Sequence, residues 1–435
     1  MNSLPLSPSE SRGFFALLAP YAQVALAVSG GPDSLALMLL AMRWREECAD
    51  GPKLSVLTVD HGLRAGARAE AEGVGRMASA LGLDHAILTW EKAEAPAANL
   101  QERARVARYD LMAAFCHARG IPALVTAHTQ DDQAETVLMR LKRGSGLDGL
   151  AAIPERGAWA GITILRPLLD VPKARLVATL DAAGLAYVTD PSNADPRFER
   201  ARLRARSSAL EAFGLTPEAL ALSARRLRRA REALDEAARD FLARHGAVSA
   251  AGYATVDRAA LAAAPQEIAL RALAQTIAAV GGGEAPVQLA KLETLLAALG
   301  AHPDKAHTLG RCRLENVSGR LGVFREVRGE GLPVARVSPG ERALWDNRFT
   351  VELGAGANEA VIVKALGDEG FRALRERSEA ISALPRLAAR TLPCCWRGEA
   401  LLGLPQLRLP GTPPPFVPLC RAHFVSEAGR DVRRR

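Results

Sequence analysis

The chain has 435 residues, of which 49% are hydrophobic, 24% are charged and only 5% are aromatic, and its length predicts about three domains. A formal net charge of +8 and a pI near 9.5 favour a polyanionic partner. The six cysteines form no C-x-x-C pair, and neither a basic leader nor a membrane-length apolar run is present, so we expect a cytoplasmic protein with reduced thiols and no disulfide framework, zinc site or membrane span.

From residue 23 to residue 142, short apolar runs alternate with longer amphipathic ones. The predicted strands are Val24–Val28, Leu54–Val59, His85–Trp90 and Ala123–Ala127. The predicted helices are Asp33–Trp44, Ala67–Leu81, Gln101–Arg119 and Asp131–Lys142. Such alternation is typical of an α/β fold, a parallel sheet with helices on both faces. Ligands of these sheets bind beyond the carboxyl ends of the strands, so the residues that follow each strand are the first site candidates.

A glycine-rich turn follows the first predicted strand and opens a helix, with the residues Ser29, Gly30, Gly31, Pro32, Asp33 and Ser34. Glycine lets the backbone approach a ligand closely, and the first N–H groups of a helix attract phosphate. Asp33 would repel a bare phosphate, which indicates a magnesium-bound nucleotide. The turn lacks the Gly-Lys-Ser/Thr of a Walker A loop and the spacing of a dinucleotide fingerprint. An ordinary tight turn is the alternative, and the flanking strand and helix argue against it.

Polar residues also follow the second and fourth predicted strands. Asp60, His61 and Gly62 follow the second, and His128 follows the fourth. Three carboxylates, Asp131, Asp132 and Glu135, come next on one side of a helix near its N-terminus. Acidic residues there can simply complement the helix dipole. Facing a phosphate-binding turn, they could instead hold Mg²⁺, which takes one or two carboxylates together with nucleotide oxygens.

Two basic segments come further along the chain. Lys142 and Arg143 precede Gly144-Ser145-Gly146 and suit a pyrophosphate or an RNA phosphate, although a glycine-rich helix end is the plainer interpretation. The second segment contains Arg197, Arg200, Arg202, Arg204 and Arg206. Arginine favours bidentate contacts with phosphate, whereas a solvated helix face is the default interpretation of a charge run.

The chain changes character after Gly214. Helical spacing extends over Pro217–His245 and Leu261–Leu299, and short alternating runs begin near Cys312. A break near Arg328–Pro333 precedes a smaller mixed unit with a proline-rich stretch at 410–418 and a basic end at 430–435. We therefore expect domains over residues 1–210, 211–330 and 331–435, the second mostly helical and the third small and mixed.

The motifs of the first 210 residues, in this order, resemble those of the N-type ATP pyrophosphatase superfamily and, within it, the tRNA(Ile)-lysidine synthase family. The matching segments are Ser29–Ser34, Val59–Arg64, Asn99–Arg105 with Arg108 and Tyr109, Ala127–Thr136, Lys142–Gly146, Arg166–Leu169, and Asp190 with Ser192 and Asn193. The Ser29–Ser34 turn marks the superfamily, and the other six motifs in this order are specific for the family, whereas any one alone is not. Beyond residue 214 the resemblance extends only to size and order.

The resemblance implies a Rossmann-type catalytic domain of the adenine nucleotide alpha hydrolase kind, over residues 1–210, followed by two tRNA- or substrate-binding domains. It implies a ligase that adenylates the O2 atom of the wobble cytidine in isoleucine tRNA with a CAU anticodon, releasing pyrophosphate. The ε-amine of free L-lysine then displaces AMP and gives lysidine. The implied ligands are ATP, Mg²⁺, L-lysine and tRNA. The resemblance leaves open whether the protein forms a homodimer.

The site assignments combine the resemblance with the chemistry of the residues. We assign ATP binding to Ser29, Gly30, Gly31, Pro32, Asp33, Ser34, His61, Arg108, His128, Lys142 and Arg143. We assign catalysis to Asp33, Asp131, Asp132 and Glu135, with the metal at Asp33, Asp131 and Asp132. Glu135 or a neighbouring carboxylate could deprotonate the attacking ammonium. We assign tRNA binding to Arg197, Arg200, Arg202, Arg204 and Arg206.

The sequence departs from the family pattern at one place and leaves two other functions open. Arg200 is followed by Ala201 where the family usually has asparagine, so only the arginines are carried over, as RNA or substrate contacts. Another ATP pyrophosphatase that modifies RNA, such as a tRNA thiolase, is the first alternative. The second is a non-catalytic RNA-binding protein, against which the intact Ser29–Ser34 turn argues.

Overall fold

The computed structural model describes residues 4–48, 50–62, 66–90, 100–188, 195–197, 199–283, 286–329, 331–376, 378–398, 400–404 and 420–425. Several predicted features lie outside the described residues: Leu63, Arg64, Asn99, Asp190, Ser192, Asn193, the proline-rich stretch and the basic end. The chain divides into two compact units, the first over residues 1–231 and the second over residues 232–433. The predicted boundaries at residues 210 and 330 stay predictions.

The first unit alternates strands and helices along the chain. Its strands are β1 (Gln23–Ala27), β2 (Lys53–Asp60), β3 (Asp84–Thr89), β4 (Ala123–Val125), β5 (Arg156–Trp159) and β6 (Ile162–Leu165). Its helices are α1 (Pro8–Phe15), a 3-10 turn (Ala16–Leu18), α2 (Pro32–Glu47), α3 (Ala67–Ala80), α4 (Leu100–Arg119), α5 (Gln130–Lys142), α6 (Leu147–Leu150), α7 (Lys173–Ala182), α8 (Glu199–Arg204), α9 (Ser207–Ala212) and α10 (Pro217–His245), the last of which contains the unit boundary. The four predicted strands and the four predicted helices between residues 23 and 142 are confirmed, with ends that differ by a few residues.

The strands of the first unit form one sheet in the order β3-β2-β1-β4-β6-β5. Strands β1, β2, β3, β4 and β6 are parallel, and β5 pairs antiparallel with β6 at the edge. The predicted α/β class with a parallel sheet is therefore confirmed. The strand order reverses at β1, between β2 and β4, which places a crevice at the carboxyl ends of β1 and β4.

Side chains of the central strands alternate between two apolar cores. Val24 and Leu26 of β1 pack with α2 and α7, whereas Ala25 packs with α4 on the other face. Helix α2 buries nine of its residues, Ser34, Leu35, Ala36, Leu37, Met38, Leu39, Leu40, Ala41 and Trp44. Because most of its residues are buried, α2 packs closely against the rest of the unit. Its N-terminus lies just after the carboxyl end of β1.

The second unit is built on antiparallel sheets with helices. Its helices are α11 (Arg258–Ala263), α12 (Gln266–Gly281), α13 (Leu289–Ala301), α14 (Gly367–Arg375), α15 (Glu379–Ser382) and α16 (Arg386–Ala389). Its strands are β7 (Gly246–Val248), β8 (Ala254–Asp257), β9 (His307–Leu309), β10 (Cys312–Val317), β11 (Arg320–Arg325), β12 (Ala335–Val337), β13 (Arg342–Trp345), β14 (Phe349–Leu353), β15 (Val361–Ala365), β16 (Pro393–Arg397), β17 (Ala400–Gly403) and β18 (Cys420–Phe424). They form sheets in the orders β7-β8-β11-β10-β9, β12-β15-β16-β17 and β13-β14-β18.

Two expectations from composition can be compared with the structure. All six cysteines are free thiols, and five of them are buried. Among the helices of the described residues, none is both long and apolar enough to cross a membrane.

Candidate active site

The turn after β1 is shaped by hydrogen bonds within its own residues. The Ser34 hydroxyl accepts the Ser29 N–H at 3.1 Å and donates to the Gly31 carbonyl at 3.0 Å. Gly30 has φ +85°, and a Cβ there would lie 3.3 Å from a methyl of Val74, so the position requires glycine. Gly31 is the N-cap of α2 and offers no side-chain cap. The first turn of α2 therefore has backbone N–H groups without a side-chain cap, as phosphate binding at a helix N-terminus requires.

Asp33 points from the first turn of α2 into a cluster of charges. Its Oδ2 lies 2.6 Å from Nζ of Lys173, at the start of α7. Its Oδ1 is buried and has no hydrogen-bond partner. Burial raises the pKa of Asp33, Lys173 opposes this, and the nearby charges of Asp132 and Asp131 raise it further. A buried carboxylate oxygen without a donor is costly, and a cation or a proton would stabilise it.

Asp131 and Asp132 lie at the start of α5 and are held in place by backbone groups. Oδ2 of Asp131 accepts the Lys173 backbone N–H at 2.8 Å. Oδ2 of Asp132 accepts the Thr129 N–H at 2.9 Å in a capping box. Oδ1 of Asp132 lies 3.4 Å from Nη1 of Arg200. The helix-terminal role weighed from the sequence is thus met at Asp132, both of whose oxygens have partners.

Glu135 lies one turn further along α5 and is buried. Nε and Nη2 of Arg204 donate to its two oxygens at 2.5 and 3.2 Å, and Nε of Arg200 lies 3.8 Å from Oε2. Burial raises the pKa of Glu135, although the Arg204 hydrogen bond opposes the rise. Two of the predicted tRNA-binding arginines therefore face the carboxylates of α5.

These carboxylates line one cavity of about 260 Å³. Its polar lining includes Asp33, Asp131, Asp132, Glu135, Lys173, Arg204 and Glu211, and its apolar lining includes Leu138, Leu203, Leu210, Leu215 and Leu220. A pocket lined by both charged and aliphatic side chains suits a small ligand that has a charged group on a hydrocarbon stem.

Two histidines lie at the same edge of the sheet. The Nδ1 atom of His128 is hydrogen-bonded to the Thr126 hydroxyl at 2.9 Å, and burial lowers the pKa of His128 to about 4. Burial and the charge of Arg108 lower the pKa of His61, whose Nδ1 is buried without a hydrogen-bond partner. Both imidazoles are therefore neutral at pH 7 and suited to hydrogen bonding.

Five other predicted site residues are paired elsewhere or exposed. Lys142 and Arg143 are at the far end of α5, about 16 Å along the helix from Asp131, and pair with Glu199 at 3.1 and 2.9 Å. Arg197 pairs with Asp195, while Arg202 and Arg206 are exposed. The structure does not bring Lys142 and Arg143 to the turn, and their contact with ATP stays a prediction.

Lys173 was missed by the sequence analysis. It follows Pro172 at a helix start, and the sequence separates it from Asp33 by 140 residues. In the sequence, the one indication that Lys173 belongs to the site was its position four residues after Leu169, where the Arg166–Leu169 motif ends.

The residues present fit Mg²⁺ together with a nucleotide. In the described part of the chain, no group of three or more His, Cys, Asp or Glu side chains could by itself hold a metal ion. Mg²⁺ in nucleotide sites needs only one or two carboxylates, because phosphate oxygens and waters supply the other ligands. The unpartnered Oδ1 of Asp33, beside the Asp131 and Asp132 charges, is consistent with that coordination.

Comparison with known proteins agrees with this geometry. Residues 10–209 match the model of the PP-loop domain family. A tRNA(Ile)-lysidine synthase from Bradyrhizobium sp. strain BTAi1 is 49% identical over 304 residues, covering 68% of this chain and 84% of that protein. The one from Methylobacterium sp. strain 4-46 is 50% identical over 309 residues, covering 68% and 87%.

Two more distant similarities cover different shares of the chain. The tRNA(Ile)-lysidine synthase of Ruegeria pomeroyi is 36% identical over 392 residues and covers 89% of each chain. The solved structure of a U34-tRNA thiolase, NcsA from Methanococcus maripaludis, matches with a TM-score of 0.43 and 18% identity over 52% of this chain and 78% of that one. On its sequence similarity, the chain belongs to the tRNA(Ile)-lysidine synthase family and is an ATP-dependent ligase.

Proposed function

We propose that the protein joins free L-lysine to C2 of the wobble cytidine in isoleucine tRNA with a CAU anticodon. Family membership supports the reaction. The main structural support for the site is that Lys173 contacts the first turns of both α2 and α5. Its ammonium binds Asp33, and its backbone N–H binds Asp131. We place this reaction in the cytoplasm, where tRNA is modified.

In the first step, O2 of the cytidine attacks the α-phosphorus of ATP, and pyrophosphate leaves. The turn at Ser29–Ser34 binds the departing phosphates through backbone N–H groups and hydroxyls, and His61 and His128 donate neutral hydrogen bonds at the same edge. Mg²⁺ held by Asp33 with Asp131 or Asp132 would offset phosphate charge. Catalysis here consists of positioning and electrostatic stabilisation.

In the second step, the ε-nitrogen of lysine forms a bond to C2, and the C2–O2 bond breaks as AMP leaves with O2. The lysine ammonium must lose a proton first, because its ordinary pKa is near 10.4. Glu135, or its neighbour Asp132, accepts that proton. The cavity supports this role, because its carboxylates and Leu138 suit a cationic group on an aliphatic chain.

The test is mass spectrometry of isoleucine tRNA after incubation with ATP and isotope-labelled lysine. Lysine-labelled cytidine at the wobble position, together with tRNA-dependent pyrophosphate release, is the expected result. Pyrophosphate release that requires a sulfur donor in place of lysine would indicate the thiolase alternative. Binding of tRNA without turnover under any of these conditions would indicate the non-catalytic RNA-binding protein.

A further inference from the structure

A second charged cluster lies on the α4 side of the sheet, around Tyr109. The Tyr109 side chain is buried, and the guanidinium carbons of Arg105 and Arg108 lie 5.4 and 5.5 Å from its ring centre. Arg166, which follows β6, interacts electrostatically with Tyr109 as well. Three arginines from two separate parts of the chain therefore converge on one tyrosine.

Within the described residues, no carboxylate neutralises these three arginines. Arg166 donates from Nη1 to the Pro154 carbonyl at 2.9 Å, and its Nε is buried without an acceptor. Burial lowers the pKa of Arg108, and the charges of Arg105 and Arg200 lower it further. Arg108 and Arg166 are half-buried, whereas Arg105 is exposed. Like charges held together destabilise the free protein, most of all where they are half-buried, and an anion bound among them would remove that cost.

The cluster lies at the ligand-binding edge of the sheet. Arg105 and Arg108 are in the first half of α4, which leads away from the carboxyl end of β3, and Arg166 directly follows the carboxyl end of β6. The charges of Arg166 and Arg105 also reach His128, after β4, and lower its pKa. An anion at this position would thus be next to the reacting groups of the crevice.

We propose that Arg105, Arg108 and Arg166 form a phosphate-binding site distinct from the Ser29–Ser34 turn. Guanidinium groups bind phosphate oxygens in a planar, bidentate manner, and the free Nε of Arg166 supplies one donor. The phosphate belongs either to the RNA backbone next to the target cytidine or to the nucleotide. The restriction to these two sources rests on the proposed function, whereas the existence of a phosphate-binding site does not.

The experiment measures binding rather than turnover, so its result is separate from any failure of lysine ligation. Arg105→Gln, Arg108→Gln and the double variant are compared with Arg119→Gln, which removes the same charge at the other end of α4, about 21 Å along the helix. Affinities for ATP alone and for transcribed CAU-anticodon tRNA alone are measured across a salt series. Arg108→Lys, which keeps the charge, and thermal melting identify a variant that is merely misfolded.

If the phosphate belongs to the RNA backbone, the affinity of the double variant for tRNA should fall by about tenfold or more. Its salt slope should be flatter by about 0.7–0.9 for each phosphate that the variant no longer neutralises, and Arg105→Gln alone should keep its affinity for ATP. A nucleotide phosphate predicts instead that Arg105→Gln alone binds ATP more weakly. Unchanged affinity for both ligands, or an equal weakening in Arg119→Gln, would overturn the proposal.

Discussion

The ammonium of Lys173 lies 2.6 Å from Oδ2 of Asp33, and the Lys173 backbone N–H donates to Asp131 at 2.8 Å. One residue at the start of α7 thus holds together the first turns of α2 and α5. Asp33 keeps its other oxygen unpartnered. One oxygen of Asp33 is therefore fixed by Lys173, and the other is buried without a donor.

Replacement Lys173→Met should move the acidic limb of the pH–rate profile for pyrophosphate release to higher pH. Burial already raises the pKa of Asp33, and Lys173 is the group that opposes the rise. Without the ammonium, Asp33 stays protonated to a higher pH, so activity is lost sooner as the pH falls. Lys173→Arg keeps the charge and is the control. An acidic limb at the wild-type position in Lys173→Met would contradict the pairing.

Replacement Asp33→Ala should abolish adenylation and leave tRNA binding near the wild-type value. Asp33 lies in the first turn of α2, within the Ser29–Ser34 turn that we assign to ATP, and we propose that it is among the groups that hold Mg²⁺. Pyrophosphate release and a tRNA binding curve measure the two properties. Asp181→Ala, an exposed position on α7, is the matched control. Loss of tRNA binding along with adenylation would argue against the metal role.

Replacement Glu135→Gln should slow lysine ligation by about 100-fold or more, the usual contribution of a general base, and leave adenylation intact. Rapid-quench measurements separate the two steps by detecting adenylated tRNA. Equal slowing of both steps would show that Glu135 acts on the site as a whole rather than on the amine.

The same replacement should change how stability depends on pH. Burial raises the folded-state pKa of Glu135 above its ordinary value of 4.5. The folded state therefore binds this proton more tightly. Its stabilising effect is full below the unfolded pKa and is lost as the pH rises through the folded pKa. Glu135→Gln removes this slope, which urea unfolding at several pH values would measure.

Replacement of Arg202 and Arg206 by Gln should weaken tRNA binding and flatten its salt slope by about 0.7–0.9 for each phosphate contact. Both side chains are exposed, whereas Arg200 and Arg204 face carboxylates. Arg43→Gln, on an exposed position of α2, is the charge-matched control. A salt slope equal to that of the control would mean that the two arginines are solvated surface residues that contact no phosphate.

The sequence predicted the local parts of the site and missed the contacts between distant segments. Strands β1 to β4 and the Ser29–Ser34 turn follow from short patterns of apolar residues and glycine, which act over a few positions. The pairing of Asp33 with Lys173 depends on packing of α2 against α7 and leaves no local pattern. For the same reason the sequence did not show that Arg204 pairs with Glu135 or that Lys142 pairs with Glu199.

Antiparallel strand β5 and the sheets of the second unit were also not specified by the sequence. Short runs such as Arg156–Trp159 carry too few residues to distinguish an edge strand from a loop. Pairing of β8 with β11 joins residues more than 60 positions apart, so it too is determined by tertiary packing.

The most direct test of the account follows oxygen through the reaction. The enzyme is given ATP, lysine and a tRNA in which O2 of the wobble cytidine is labelled with ¹⁸O, and the AMP released is analysed by mass spectrometry. If O2 attacks the α-phosphorus at the Ser29–Ser34 turn and leaves when lysine binds C2, each AMP carries one ¹⁸O atom. AMP without the label, formed while lysidine accumulates, would contradict the account.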